Sequence, residues 1–359
     1  YQRRVRGTHI NFMSSLTIEQ KMEIFARIGE EILEPAELKA ILEQNRELRV
    51  YDGFEPSGRI HIAQGLLKAI NVNRMIKCGC KCVFYVADWF ALLNNKCEGD
   101  LDKIKKLGEY FINVWKASGM DMSKVEFVWA SDFISSRPQY WAKVMDIARS
   151  NTLTRIQKCS TIMGRTESDQ QPVAQIMYPC MQCADVFELG VDICQLGVDQ
   201  RKVNMLAREY ATKVKVVKPV IVSHHMLLGL IGGKMSKSVK GSAIFMDDSL
   251  EDIQSKIQAA DCPLTEDANP VLEYFKYIVF GAAEVELNGF NKVIIADKEF
   301  QTYEQVKEQF LSGELTQDQL KTSLAQIIDL LIQPVRKSFE SVAELQELQK
   351  FVISMRVTR

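Results

Sequence analysis

Three clusters of residues in this chain of 359 carry side chains and spacings suited to chemistry. The first is Lys234-Met235-Ser236-Lys237-Ser238, preceded by Gly232-Gly233. Two ammonium groups and two hydroxyls on a glycine-hinged loop can close over a pyrophosphate and neutralise the charge that builds on a leaving group. A basic, serine-bearing loop is by itself usually solvated surface. A second cluster well upstream weighs against that reading: Pro56-Ser57-Gly58-Arg59-Ile60-His61-Ile62-Ala63-Gln64-Gly65, a turn leading from a strand into a helix. Unpaired N–H groups at a helix start attract phosphate, and His61 can donate to a polyphosphate beside them. Taken alone, a histidine near a helix start is more often a structural or capping residue. In the third cluster Tyr178, Gln182 and Asp185 are spaced by four and three, which puts them on one helix face. Their segment is otherwise rich in Cys, Met, Ala and Phe, so the polar stripe either meets solvent or, if buried, needs a polar ligand.

The scaffold for these clusters is also written in the sequence. Single hydrophobic cores stop growing at roughly 250–300 residues, so two domains are expected. A helical pattern over residues 18–45 precedes a strand at 49–54, a helix over 66–76 and a strand at 82–87, which together form a βαβ unit. Helices at 101–118 and 139–150 alternate with strands at 124–130, 191–196 and 216–222. The fold class expected is α/β: a Rossmann-like, doubly wound parallel sheet over residues 14–244, with ligands in the crevice at the carboxyl ends of its strands. Beyond residue 241 the strands thin out, and helices at 250–259, 271–280, 302–310, 320–331 and 340–353 predict a smaller all-helical domain over 245–359. The stretch from Tyr178 reads as a helix with Pro179 in its first turn.

The first two clusters resemble the "HIGH" and "KMSKS" signatures of class I aminoacyl-tRNA synthetases. The third, continued by Gly197-Val198-Asp199-Gln200-Arg201-Lys202 and joined by Tyr51-Asp52-Gly53-Phe54-Glu55-Pro56-Ser57-Gly58, resembles the tyrosyl-tRNA synthetases of eukaryotic and archaeal type. The histidine motif departs from its usual form, with Ala63 and Gln64 where Gly and His are customary. The resemblance implies activation of L-tyrosine with ATP and transfer of the tyrosyl group to tRNA(Tyr), with magnesium on the phosphates and no tightly bound metal. It implies Tyr178, Gln182 and Gln200 as ligands of the substrate ammonium, and Tyr51 and Asp185 as ligands of its phenolic hydroxyl. Gly53, Glu55, Ser57, His61, Gln64, Lys234, Ser236 and Lys237 fall at ATP, with His61, Lys234 and Lys237 catalytic. Relatives carry His-Pro-x-Asp-Leu-Lys where this chain has Thr316-Gln317-Asp318-Gln319-Leu320-Lys321, so Gln319 takes the place of the anticodon-contacting aspartate. A homodimer is implied, with its interface supplied by about residues 138–177. Two other readings remain. One is a tryptophan enzyme, against which Tyr51 and Asp185 count because indole has no hydroxyl. The other is a synthetase-like RNA binder, against which the intact Lys-Met-Ser-Lys-Ser counts.

Composition bounds the rest. Forty-five basic and forty-six acidic residues leave a formal charge of −1, which excludes a histone-like binder and leaves room only for a local basic track. Nine cysteines, an odd number with no signal peptide, fit free thiols in a reducing, cytoplasmic setting. Zinc is disfavoured because the four histidines show no finger spacing. No run of about 18 apolar residues suggests a membrane span. His224 and His225 are open to adenine contact or loop packing, and Lys213, Lys215 and Lys218 to phosphate steering or plain solvation. Residues 1–8, with Arg3, Arg4 and Arg6, precede Met13 and carry no fold signal.

Overall fold

The computed structural model describes residues 16–163, 172–233, 235, 239 and 241–355. Its centre is a six-stranded sheet in which β1 (Gly29–Leu33), β2 (Leu48–Phe54), β3 (Cys80–Val86), β4 (Val125–Trp129), β5 (Ile193–Cys194) and β6 (Val220–His224) lie in the order β1-β6-β5-β2-β3-β4. All pairs are parallel except β1 with β6. The chain builds outward from β2 through β3 to β4, then crosses back to lay β5 and β6 on the other side. That reversal opens a crevice at the carboxyl ends of β2 and β5, where doubly wound sheets bind their ligands.

Alternation along the strands divides the molecule into two cores. Val50, Cys82 and Phe84 point to one face and Tyr51, Val83 and Tyr85 to the other. The second face is covered by the helices Gln139–Arg149, Val173–Glu188 and Arg201–Val214, whose buried residues share its cluster. The first face is covered by Leu101–Ala117, and its core runs without a break into Leu324, Ile328 and Phe339 of the long C-terminal helix Gln317–Ser341. Tyr110 and Phe339 meet across this junction with ring centroids 5.4 Å apart.

Several elements differ from the sequence reading. The helical stretch over 18–45 is two helices, Ile18–Ile28 and Pro35–Leu42, separated by β1. Edge pairing with β6 overrides the local periodicity there, and Glu34 turns the chain in the left-handed region at φ 54°. Pro179 sits inside the helix Val173–Glu188 instead of in its first turn, because the helix begins five residues before Tyr178. The C-terminal region is helical apart from a hairpin of β7 (Val293–Ile295) and β8 (Lys298–Phe300). Its two-residue turn puts Ala296 and Asp297 at φ 48° and 63°, a geometry ordinarily announced by Asn-Gly, so the usual signal was missing.

Candidate active site

A cavity of about 310 Å³ opens in the crevice and is lined at one end by Tyr51, Tyr85, Tyr178, Gln182 and Asp185. Strand β2 delivers Tyr51, and the helix Val173–Glu188 delivers Tyr178, Gln182 and Asp185 along one face. Asp185 is fully buried. Its Oδ1 accepts from the hydroxyls of Tyr85 at 3.0 Å and Tyr140 at 2.8 Å. Oδ2 is also buried and has no hydrogen-bond partner among the described residues. Burial pushes the carboxyl up to about 8, against the pull of the Tyr140 and Tyr85 hydroxyls. Burial, and then the nearby Asp185, raises the Tyr51 phenol well above its ordinary range, so it stays protonated. An acid and a phenol thus face one cavity, which is what a single hydroxyl, both donor and acceptor, needs for recognition.

Nearer the cavity's middle the polar groups hold one another. The Tyr178 hydroxyl donates to Glu55 Oε1 at 2.6 Å, and Asn94 Nδ2 donates to both Glu55 oxygens at 3.2 and 3.0 Å. Gln182 Nε2 donates to Gln200 Oε1 at 3.1 Å, while Gln200 Nε2 donates to the Ile162 carbonyl at 3.1 Å. Acceptors from Tyr178, Gln182, Gln200 and Glu55 suit a cationic group more than any anion.

The family described as "tRNA synthetases class I (W and Y)" matches residues 43–333. The chain belongs to that family, on its tyrosine branch. It is 49% identical over 353 residues to tyrosine–tRNA ligase 1, cytoplasmic, of Arabidopsis thaliana, covering 97% of this chain and 92% of that protein. It is 38% identical to the tyrosine–tRNA ligase of Thermococcus sibiricus, over 96% of this chain and all of the relative. Among solved structures, the Leishmania major tyrosyl-tRNA synthetase in complex with tyrosinol superposes with a TM-score of 0.89 at 46% identity. That match covers 94% of this chain but 61% of the Leishmania chain, and a second Arabidopsis ligase is spanned over 46% of its length.

In this synthetase the phosphate-side residues expected from sequence divide in two. Gly53, Glu55, Ser57, His61 and Gln64 line the same cavity, though the Glu55 carboxylate is engaged by Tyr178 and Asn94. Lys234, Ser236 and Lys237 lie outside the described residues, while their neighbour Met235 is buried and lines the cavity. The histidine turn is strapped down. Ile62 N donates to the Ile244 carbonyl and Met246 N to the Ile60 carbonyl, both at 2.9 Å, with His61 bridged to Phe245. Arg59, two residues before His61, is clasped by Asp247 and Asp248, and stacks over the Phe245 ring at 4.2 Å. A Cβ on Gly65 would stand 2.5 Å from Met246 Cγ and closer still to its Sδ, so a side chain there requires the buried Met246 chain to shift. Gln319 is at the surface and far from this cavity in sequence. Its Oε1 accepts from Thr316 N at 2.9 Å in a capping box that starts the helix Gln317–Ser341.

Several site residues escaped the sequence reading. Tyr85 and Tyr140 were hidden inside apolar strand and helix patterns. A buried ion pair of Lys68 with Asp52 lines the cavity, with Lys68 Nζ donating to Gln195 Oε1 at 2.6 Å and Gln195 Nε2 lying 2.8 Å from His224 Nδ1. Burial raises the Asp52 carboxyl to about 6 against the pull of Lys68, and burial holds His224 neutral. The signal available was charge within apolar periodicity: Asp52 mid-strand and Lys68 on a helix otherwise facing the core. His224 and His225 both line the cavity, and His225 stacks on Tyr277 with ring centroids 4.4 Å apart while pairing with Glu30 and Glu273. All nine cysteines are buried free thiols. Among the described residues no cluster of three or more metal-ligating side chains occurs, and no helix is long and apolar enough to cross a membrane.

Proposed function

We propose that this chain is a tyrosine–tRNA ligase that joins L-tyrosine to ATP, releases pyrophosphate, and passes the tyrosyl group to the 3′ end of tRNA(Tyr). The observation that carries the reading is the buried pair of Asp185 and Tyr51 lining the cavity. A substrate hydroxyl satisfies Asp185 Oδ2 and the Tyr51 hydroxyl, whereas a phenylalanine ring offers neither of them a partner. Sites of that kind discriminate by roughly 10⁴–10⁵, a magnitude the general rule itself draws from tyrosyl-tRNA synthetase.

With the phenol anchored there, Tyr178, Gln182 and Gln200 take the substrate ammonium, and the carboxylate points toward the histidine turn. The carboxylate attacks the α-phosphorus of ATP and pyrophosphate leaves. A terminal ribose hydroxyl of the tRNA then attacks the tyrosyl carbonyl and AMP leaves. Neither step needs a covalent enzyme intermediate, so the protein supplies orientation and charge stabilisation. His61, Lys234 and Lys237 do the latter, with Gly53, Glu55, Ser57, Gln64 and Ser236 around the nucleotide. Magnesium arrives with the ATP phosphates. Residues 14–244 form the catalytic domain and 245–359 the anticodon-binding domain, where Gln319 reads the anticodon only through what its capping role leaves over. The working unit is a homodimer, supported by exposed Trp141, Met145, Val173 and Met177 within residues 138–177. A cytoplasmic location is supported by the name of the Arabidopsis relative.

Amino-acid-dependent exchange of labelled pyrophosphate into ATP tests the reading. Exchange with tyrosine is expected. Exchange driven by tryptophan alone, or by no amino acid, would overturn it.

A further inference from the structure

Asp185 is held by more than the pocket needs. Its Oδ1 accepts from two hydroxyls, Tyr85 at 3.0 Å and Tyr140 at 2.8 Å, brought by two separate elements, β3 and the helix Gln139–Arg149. Both phenols are fully buried. Tyr140 has a further acceptor, the Met181 carbonyl at 3.0 Å, so its one proton can go to either oxygen.

We propose that Tyr85 and Tyr140 are positioning residues that set the selectivity for a phenol: they saturate Oδ1 and so leave Oδ2 as the one acceptor offered to the substrate hydroxyl. This rests on the tyrosine reading above and deepens it. Tyr85 is the constant donor, because Asp185 is its only hydrogen-bond partner among the described residues. Tyr140 adapts. It donates to Oδ1 when the acid is ionised, and can turn its proton to Met181 when Oδ1 carries one. Among the described residues the groups facing Asp185 are Tyr51 on β2, Tyr85 on β3, Tyr140, and Tyr178 and Cys183 on its own helix, with no cation among these. The two hydroxyl donors therefore supply the stabilisation that a positive charge would otherwise give an ionised acid.

The test is pyrophosphate exchange by Tyr85→Phe, Tyr140→Phe and the double variant across about pH 6 to 9, with melting temperature and the KM for ATP measured alongside. Each substitution keeps the ring and removes only the hydroxyl. The KM for tyrosine is expected to rise about tenfold in each single variant, with kcat and the KM for ATP little changed, because a hydrogen bond to a charged group is lost. The pH below which tyrosine KM worsens should move up by roughly one unit, since each lost donor favours the protonated acid. Discrimination against phenylalanine should fall with it. A drop in melting temperature alone, with an unmoved pH profile and unmoved tyrosine KM, would show a merely structural role and overturn the proposal. Absence of tyrosine-dependent exchange in the unaltered protein would instead sink the functional reading on which it rests.

Discussion

At the scale of the residue, Asp185 joins recognition to stability. Its carboxyl titrates at about 8 in the fold, against an ordinary value near 4, so folding favours proton uptake on this group between those limits. The stabilising contribution is therefore complete below about pH 4 and is lost as the pH rises through about 8. Asp185→Asn removes the titration. In ligand-free protein the melting temperature of the wild type, less that of the variant, should fall steadily from about pH 5 to about pH 8.5. A flat difference would mean that the acid ionises in the ordinary range. Asp185→Ala should lower kcat/KM for tyrosine by more than about a hundredfold while ATP still binds, because it strips away the acceptor for the phenol. The stripe of Tyr178, Gln182 and Asp185 was legible because helical spacing converts directly into a shared face. Tyr85 and Tyr140 were not. A tyrosine in an apolar run looks like core, and only tertiary packing shows that two hydroxyls converge on one oxygen.

Among the elements, long periodic helices and the central strands were readable, while short pieces stabilised by distant partners were not. Strands β2 and β3 announce themselves by apolar and β-branched runs ending in Gly53-Phe54 and Ala87-Asp88. By contrast β1 exists because β6 pairs with it, and the β7–β8 turn uses Ala296 and Asp297 in conformations their side chains do not advertise. The histidine turn gives a sharper case. Gly65 would look like a helix-weakening glycine, yet its missing side chain is where Met246 packs. Gly65→Ala should destabilise the protein by about 1–3 kcal/mol, the usual range for forcing a carbon into a filled core, and should raise the KM for ATP by displacing the turn. Adding Met246→Ala should recover much of the melting temperature. If the double variant is no better than the single one, close packing at Met246 is not what keeps residue 65 bare.

On the scale of the whole molecule, two surfaces matter. One is the apolar patch on the covering helices, where Met145 is 65% and Val173 75% exposed. Exposed apolar side chains on neighbouring helices are a common feature of association sites. Met145→Glu with Val173→Glu should convert the proposed dimer to monomers in sedimentation velocity and leave the fold intact by circular dichroism. Dimers that persist would move the interface elsewhere. The other is internal: the first face of the sheet is packed by helices from both ends of the chain, a continuity that motif spacing alone did not reveal.

Arg59 gives that continuity a mechanical meaning. It is anchored to Asp247 and Asp248, and Asp248 is gripped in turn by Lys256 and, through its carbonyl, by Arg336 of the long C-terminal helix. The turn bearing His61 and the long C-terminal helix are thus linked through a chain of charges. A shift of the long C-terminal helix relative to Asp248 therefore strains the same contacts that hold Arg59, two residues before His61.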